Sequence, residues 1–444
     1  MAAAAWLARR GLKPVVAERN AACGGRCSTR EFHPGFKASP FADELAAIPA
    51  DIFRAFDLAR RGVVLAPAAP CGSPSAEADA IRSAVIKRAM EDAARVLPRG
   101  LFAKPVPSRP WPGEELAART LAGATRMPMS GTVCDPTLSG SALAMLAGAP
   151  GGMAAGGLGR LGAALRSAAE ETGAEISCGL EVTDIRRKGR RILGVGLADG
   201  SEIAARAVIS TLDLKRTFLS LFAWNELPRE LVERVAAFRL APGTARLLVA
   251  LEAPPDLPTG RGAEYLREPI HVAPVSLEDA TLAWRSAAVP EHPPAIVRLV
   301  TAVDPFLAPG GAATLTVTLG AIPHAPFDGA WTKEKRDRLR DMALAAAETA
   351  LPGTGERVKY AELLVPPDME SMIGATEGDL MGGELSASQM LGFRPFPQCH
   401  GTRTPVEGLY LAGPSSALGP LATCASGVAA ATAVLADFAA GRLK

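Results

Sequence analysis

The sequence predicts an α/β fold in which the chain enters one parallel-sheet core three times and an α+β region is inserted between the visits. Three observations predict it. An Ala-rich helical stretch runs straight into an apolar strand that ends in an acid, Pro14-Val15-Val16-Ala17-Glu18. A helix with apolar positions at Leu158, Leu161, Leu165 and Ala168 leads into several short strands between Glu175 and Val208. A second buried strand, Leu409 to Ala412, precedes a long Ala-rich helix at the end.

The bulk composition narrows the function classes. A chain of 444 residues exceeds one compact core, so two domains are expected. Lys and Arg number 48 against 46 Asp and Glu, a balance that lacks the basic excess of a nucleic-acid binder. The basic runs at Arg186-Arg187-Lys188 and Arg190-Arg191 fit a solvated hairpin better than a partner site. Seven cysteines without regular spacing make no disulfide framework, which points to reduced thiols and the cytoplasm. Arg9 and Arg10 follow the apolar start at once, so the order of a signal peptide is absent. The most apolar helical stretch, Val428 to Leu435, falls far short of the roughly 20 residues that span a membrane. Near-neutral charge gives no strong lipid attraction, yet peripheral membrane contact through a hydrophobic patch stays open.

The elements follow in order. Ala2 to Arg10 has helical propensity and Gly11 is placed to end it. After the strand to Glu18 comes the glycine-rich loop Cys23-Gly24-Gly25-Arg26. Ser39 to about Pro150 mixes short helices with Pro-rich connections, and Pro67 to Pro74 and Pro105 to Pro112 read as surface loops. Gly157 to Glu171 is a helix stopped by Gly173. Strands are expected at Glu175 to Ser177, Glu181 to Ile185 and Ile192 to Leu197. After the Asp199-Gly200 turn a further strand runs from Ile203 to Val208. In the second region, Ala245 to Leu251 is an apolar run and Ala313 to Leu319 alternates. The expected division assigns 1–40, 151–214 and 396–444 to the core domain, and 41–150 with 215–395 to the inserted one.

Three constellations carry chemistry. In a dinucleotide-binding βαβ unit the acid ending the second strand takes the adenosine ribose hydroxyls, and Glu18 stands there. Many strands end in Glu for no such reason. Gly24 and Gly25 let the backbone approach a ligand and Arg26 can pair with phosphate, against the alternative of an ordinary glycine turn. Gly413 permits a tight turn, and Thr423 or Ser426 can cap the final helix, which can equally be a packing helix.

Together these pieces resemble the phytoene-desaturase-like flavoproteins of the FAD-dependent amine-oxidase type. Ala4 to Phe36 looks like their first helix, second strand and GG loop. Within them it resembles the branch named for pyridine nucleotide-disulfide oxidoreductase domain-containing protein 2. Gly156-Gly157-Leu158-Gly159, Ala174 to Ile176, Leu197 to Ser210, Lys215 to Leu219 and Thr402 to Gly413 match further segments in the same order. The resemblance implies a Rossmann-like FAD-binding domain of the glutathione-reductase type with an inserted α+β substrate domain. By it Glu18 would bind the adenosine ribose and Arg26 would lie beside the cofactor. Val182 would offer its backbone to the adenine, while Gly413 and Ser415 would approach the ribitol and pyrophosphate. A helix N-terminus aimed at the flavin would stabilise its reduced anion by roughly 0.3–2 kcal/mol. The implied reaction is hydride removal from an apolar or amine-like small molecule onto FAD, chemistry that belongs to the cofactor.

The chain departs from the family in three ways. The family's opening strand and its GxGxxG loop would precede Ala2, so the expectation is a start placed inside the first helix. Pro420 removes a backbone donor where the family has consecutive glycines. Within Glu377 to Leu385, Gly382 stands where the family carries a histidine; the region 60–150 also looks shorter. The missing loop and Pro420 motivate the alternative of a flavin-fold scaffold or binding protein that has lost FAD. Cys23 and Cys27 do not have the spacing of flavin disulfide reductases. His33, His271, His292, His324 and His400 lack metal-ligand spacing, so no metal site is expected.

Overall fold

The computed structural model describes residues 1–45, 48–67, 152–223, 225–272, 277–384, 401–418 and 423–443, together with 389, 394–396, 398 and 399. Two parallel strand pairs anchor the α/β part. Strand β1 (Val15–Glu18) pairs with β6 (Glu175–Cys178), placing Glu18 opposite Cys178. Strand β10 (Val208–Ser210) pairs with β16 (Leu409–Leu411). Parallel partners need long connections, and here those connections carry the helices and the inserted region.

Helix α1 (Ala2–Ala8) is built almost wholly of small residues, and that decides its packing. It lies against α3 (Gly159–Glu171) and α8 (Ala425–Ala439), so close that a Cβ on Gly427 would sit 3.2 Å from the Ala3 amide nitrogen. Ala2, Ala4, Ala5 and Ala8 share a core with Leu161, Ala164, Leu165 and Ala168. Leu45, Ile52, Phe56, Leu58 and Val63 join the same core, with Ile52 on α2 (Ala50–Ala55). On the other side of α1, Leu7 meets Tyr410, Ala430 and Val434.

A three-stranded antiparallel meander, β7 (Val182–Lys188), β8 (Arg191–Leu197) and β9 (Glu202–Ala204), follows β6. The single strand expected from Ile203 to Val208 is two strands, β9 and β10. The hydrogen-bond partner changes between them: Ala205 N donates to Leu193 O, whereas Val208 N donates to Gly408 O. Ile185 and Ile192 of the meander pack with Leu214, Phe218, Phe222, Leu409 and Leu411. Helix α4 (Arg229–Ala237) adds Leu231 and Val235 to this cluster.

The inserted region is a five-stranded antiparallel sheet in the order β12 (Ile270–Val272), β13 (Ala295–Leu299), β14 (Ala313–Leu319), β11 (Ala245–Leu251), β15 (Val358–Leu364). Alternate residues of a strand face opposite sides. Leu247, Val249, Leu315, Val317 and Leu319 line one face with no exposed surface and pack on Leu339, Ala343 and Ala347 of α6 (Lys333–Ala350). The other face carries Arg246, Arg298, Thr314, Thr316 and Thr318, all buried. It meets the segment after β2 (Arg30–His33) and β3 (Phe36–Ala38). Arg246 there donates to both carboxylate oxygens of Asp43, at 3.2 and 2.7 Å, to Thr318 Oγ1 at 2.6 Å and to Ser39 O at 3.2 Å. Arg298 pairs with Glu44 at 2.5 Å. Both bridges tie the inserted sheet to the amino-terminal segment.

Strand β4 (Leu65–Pro67) pairs with β5 (Gly152–Ala154), so Pro67 closes a strand rather than opening a loop. The remainder of the expected Pro67–Pro74 loop, and all of Pro105–Pro112, lie outside the described residues. Among the described residues, no helix is long and apolar enough to cross a membrane.

Candidate functional site

The amino-terminal end of the site is a junction of β1 and the turn after β6. Glu18 is half-buried, and one carboxylate oxygen accepts from Asn20 N at 2.9 Å. Its carbonyl accepts from Leu180 N at 2.9 Å, and Gly179 N donates to Asn20 O at 3.1 Å. The β6–β7 turn is thereby fastened to the end of β1. Val182 opens β7 two residues beyond the Leu180 contact.

The glycine loop follows directly. Gly24 and Gly25 have φ of 146° and 53°, and the chain makes a single 3-10 turn over Gly25–Cys27. The loop rests on α3, where a Cβ on Gly162 would lie 3.3 Å from the Gly24 Cα. Thr29 Oγ1 accepts from Gly159 N at 2.9 Å and completes the seat. Nearby, Gly156 N and Gly157 N donate to Asp304 Oδ2 at 2.5 and 3.2 Å. The anion on those two amides is thus a carboxylate of the inserted region.

Arg26 points from this loop toward residues 379–384. Its Nη2 donates to Asp379 O at 3.3 Å, while its Nε is buried without a hydrogen-bond partner among the described residues. Burial lowers the guanidinium's proton affinity, and the carboxylates of Asp379 and Asp213 oppose that effect. An orphaned charged donor inside a protein is costly. A negatively charged ligand beside Arg26 would relieve it.

The return strand supplies the opposite side. Gly413 has φ of 78°, its N donates to Ser426 Oγ at 3.1 Å, and a Cβ would lie 2.9 Å from Thr211 O. Ser415 is fully buried; its hydroxyl donates to Gly382 O at 2.8 Å and accepts from Leu214 N at 3.1 Å. Its side chain is committed to the protein, which leaves only its backbone for a ligand. Helix α8 is capped differently from expectation. Cys424, in left-handed conformation at φ of 70°, is the N-cap and makes no side-chain cap bond. Ser426 is turned to Gly413 instead of capping.

Sequence reasoning missed the buried charges that join these two sides. Asp379 accepts from Ala241 N, Met381 N and Gly383 N at 2.8–3.0 Å and so shapes the 379–384 turn. Arg394 is 1% exposed and among the described residues donates to carbonyls, including those of Met381, Gly382 and Pro414. Burial lowers its pKa to about 10. Asp213 accepts from Thr376 N and Arg216 N, fixing the turn after β10. Asp379 lies within the Glu377 to Leu385 segment and Asp213 just before Lys215-Arg216, but only the fold shows what they hold; Arg394 was marked by nothing more than a lone charge. Gly382 is explained by the same turn. A Cβ there would approach Pro414 Cγ to 2.8 Å and Ser415 N to 2.9 Å, so a histidine does not fit.

Cys23 and Cys27 are both free thiols, and Cys23 Sγ instead meets Cys178 Sγ at 3.3 Å. Pro420 and His400 lie outside the described residues. Among the described residues no group of three His, Cys, Asp or Glu is placed to hold a metal. The glycine loop, the Arg26 donor and the constricted Gly413 turn fit a bound dinucleotide.

Two parallel strand pairs, a meander and an inserted antiparallel sheet define a two-part α/β oxidoreductase fold. The model of the flavin containing amine oxidoreductases matches residues 115–344, and the chain belongs to that family. Its cofactor class is therefore a flavin. Mouse pyridine nucleotide-disulfide oxidoreductase domain-containing protein 2 is 28% identical over 297 residues, covering 64% of this chain and 51% of the mouse protein. A lycopene-forming phytoene desaturase of a Paracoccus species is 27% identical over 296 residues, 64% of this chain and 55% of the desaturase. The chain spans about half the length of these curated relatives. The crystal structure of an oxidoreductase from Methanosarcina mazei superimposes with a TM-score of 0.58 at 16% identity, covering 98% of this chain and 97% of that one. That last likeness concerns the fold.

Proposed function

We propose that the protein is an FAD-dependent oxidoreductase that removes hydride from an apolar or amine-like small molecule. The observation that carries this reading is Arg26, a half-buried arginine whose buried Nε has no partner among the described residues, set on the glycine loop of a flavin-family chain. Glu18 would hold the adenosine ribose, Gly24 and Gly25 would admit the pyrophosphate, and Arg26 would neutralise it. Val182 would present its backbone to the adenine. Gly413 and the Ser415 backbone would border the ribitol. When bound, the flavin supplies the two-electron acceptor. The residues of this chain position it and exclude water. An apolar substrate is supported by the phytoene desaturases among the relatives.

The test is gel filtration of the purified chain with excess FAD, followed by its visible spectrum. Oxidised-flavin bands travelling with the protein are expected, and they weaken in Arg26→Ala. A folded but colourless protein would overturn the reading in favour of a scaffold that has lost FAD.

A further inference from the structure

Two half-buried thiols face each other where the glycine loop meets β6. Cys23 Sγ lies 3.3 Å from Cys178 Sγ, although 155 positions separate them in sequence. Cys23 immediately precedes Gly24, and Cys178 ends β6 opposite Glu18. A disulfide has an S–S bond of about 2.05 Å, so closure needs an approach of roughly 1 Å. Arg166 of α3 stands over the pair, its Nη1 3.8 Å from Cys178 Sγ.

We propose that Cys23 and Cys178 form a reversible dithiol–disulfide pair that, when oxidised by a peroxide, straps the glycine loop to β6. The Cys178 sulfur attacks one peroxide oxygen, the O–O bond breaks, and the released hydroxide takes the Cys178 thiol proton, giving a sulfenic acid and water. The Cys23 sulfur then attacks the Cys178 sulfur. The S–S bond forms, the S–O bond breaks, and the hydroxide leaves as water with the Cys23 proton. Two thiols and one peroxide thus become one disulfide and two waters, the two electrons passing from sulfur to oxygen. A thiol reductant reverses it by exchange.

The reduced pair is quiet by itself. Burial and the contact with Cys178 hold the Cys23 thiol up at about 12. Oxidation of Cys178 removes its thiol contact, which is the second of those causes. Cys27, the partner nearest in sequence, is held by burial at about 11 and packs into the core of α1 and α3. None of this depends on the flavin reading, because the pair and its chemistry lie within the polypeptide.

The full-length chain is reduced, desalted, treated with stoichiometric hydrogen peroxide, alkylated with N-ethylmaleimide and digested with trypsin without reductant. Cleavage after Arg26 separates Cys23 from Cys27, leaving Cys23 in Asn20–Arg26 and Cys178 in Ser167–Arg186. The expected product is these two peptides joined, two hydrogens lighter than their sum, and parted by dithiothreitol. It persists in Cys27→Ser and vanishes in Cys178→Ser. Cys23 joined to any other cysteine overturns the proposal, as do both peptides carrying the alkyl group after the peroxide is consumed. The wild-type map decides the matter even if Cys178→Ser does not fold.

Discussion

The parallel core and the inserted sheet solve the same packing problem with opposite means. In the core, elements approach through alanine and glycine: Gly427 of α8 admits the α1 backbone at 3.2 Å and Gly162 of α3 the glycine loop at 3.3 Å. In the inserted sheet one face is sealed by branched side chains, and the other is held by Arg246–Asp43 and Arg298–Glu44. Close backbone approach fixes the distance between elements through the main chain itself. Buried ion pairs instead specify which segment covers the sheet. The core is closed by backbone contact and the inserted sheet is registered by buried charge.

That contrast breaks most sharply at Arg246. Arg246→Ala leaves Asp43, 11% exposed, with the Thr316 hydroxyl at 3.0 Å in place of a forked guanidinium. Removing one partner of a buried pair costs about 3–5 kcal/mol. The urea midpoint should fall accordingly, and the double variant Arg246→Met/Asp43→Leu should cost less than either single change. Equal or larger loss in the double variant would show that the bridge contributes more than the penalty of an abandoned charge.

A second test uses His271 on β12, in the same row as Ile296, Thr318 and Arg246. Burial lowers its pKa to about 4, and its Nε2 has no hydrogen-bond partner among the described residues. Between that value and the ordinary 6.5 the unfolded chain binds the proton and the folded chain does not. Stability from this group is therefore present above pH 6.5 and lost as pH falls to 4, on the order of 3 kcal/mol in all. His271→Asn should flatten the urea midpoint against pH in that window. An unchanged slope would place the acid sensitivity elsewhere.

The two halves were also unequally legible. Strand β1, its terminal Glu18, the glycine loop, α3 and the β16–α8 return follow from local periodicity and turn residues. The apolar run at Ala245 to Leu251 and the alternation at Ala313 to Leu319 announced two strands of the inserted sheet. Their order, and the choice of Asp43 and Glu44 as partners, depend on contacts some 200 to 270 residues distant, which no local pattern encodes. Asp379 and Arg394 were invisible for the same reason. Ser426 misled because a left-handed Cys424 sets the geometry of the helix start, and nothing in a cysteine announces that conformation.

The smallest expected loss of stability comes from the core, and it separates binding from registration. Gly413→Ala places a Cβ at φ of 78° and 2.9 Å from the carbonyl oxygen of Thr211. The left-handed conformation costs a non-glycine residue roughly 1–2 kcal/mol, and backbone cannot swing away as a side chain would. The strand end must shift, and with it the Ser426 bond that holds the turn. Under the proposed function FAD affinity should drop roughly tenfold, equivalent to about 1.4 kcal/mol. Arg246→Ala, studied where it remains folded, should leave that affinity nearly intact. If Gly413→Ala weakened folding but kept full flavin affinity, the turn would be a packing device and the division of labour between the two halves would fail.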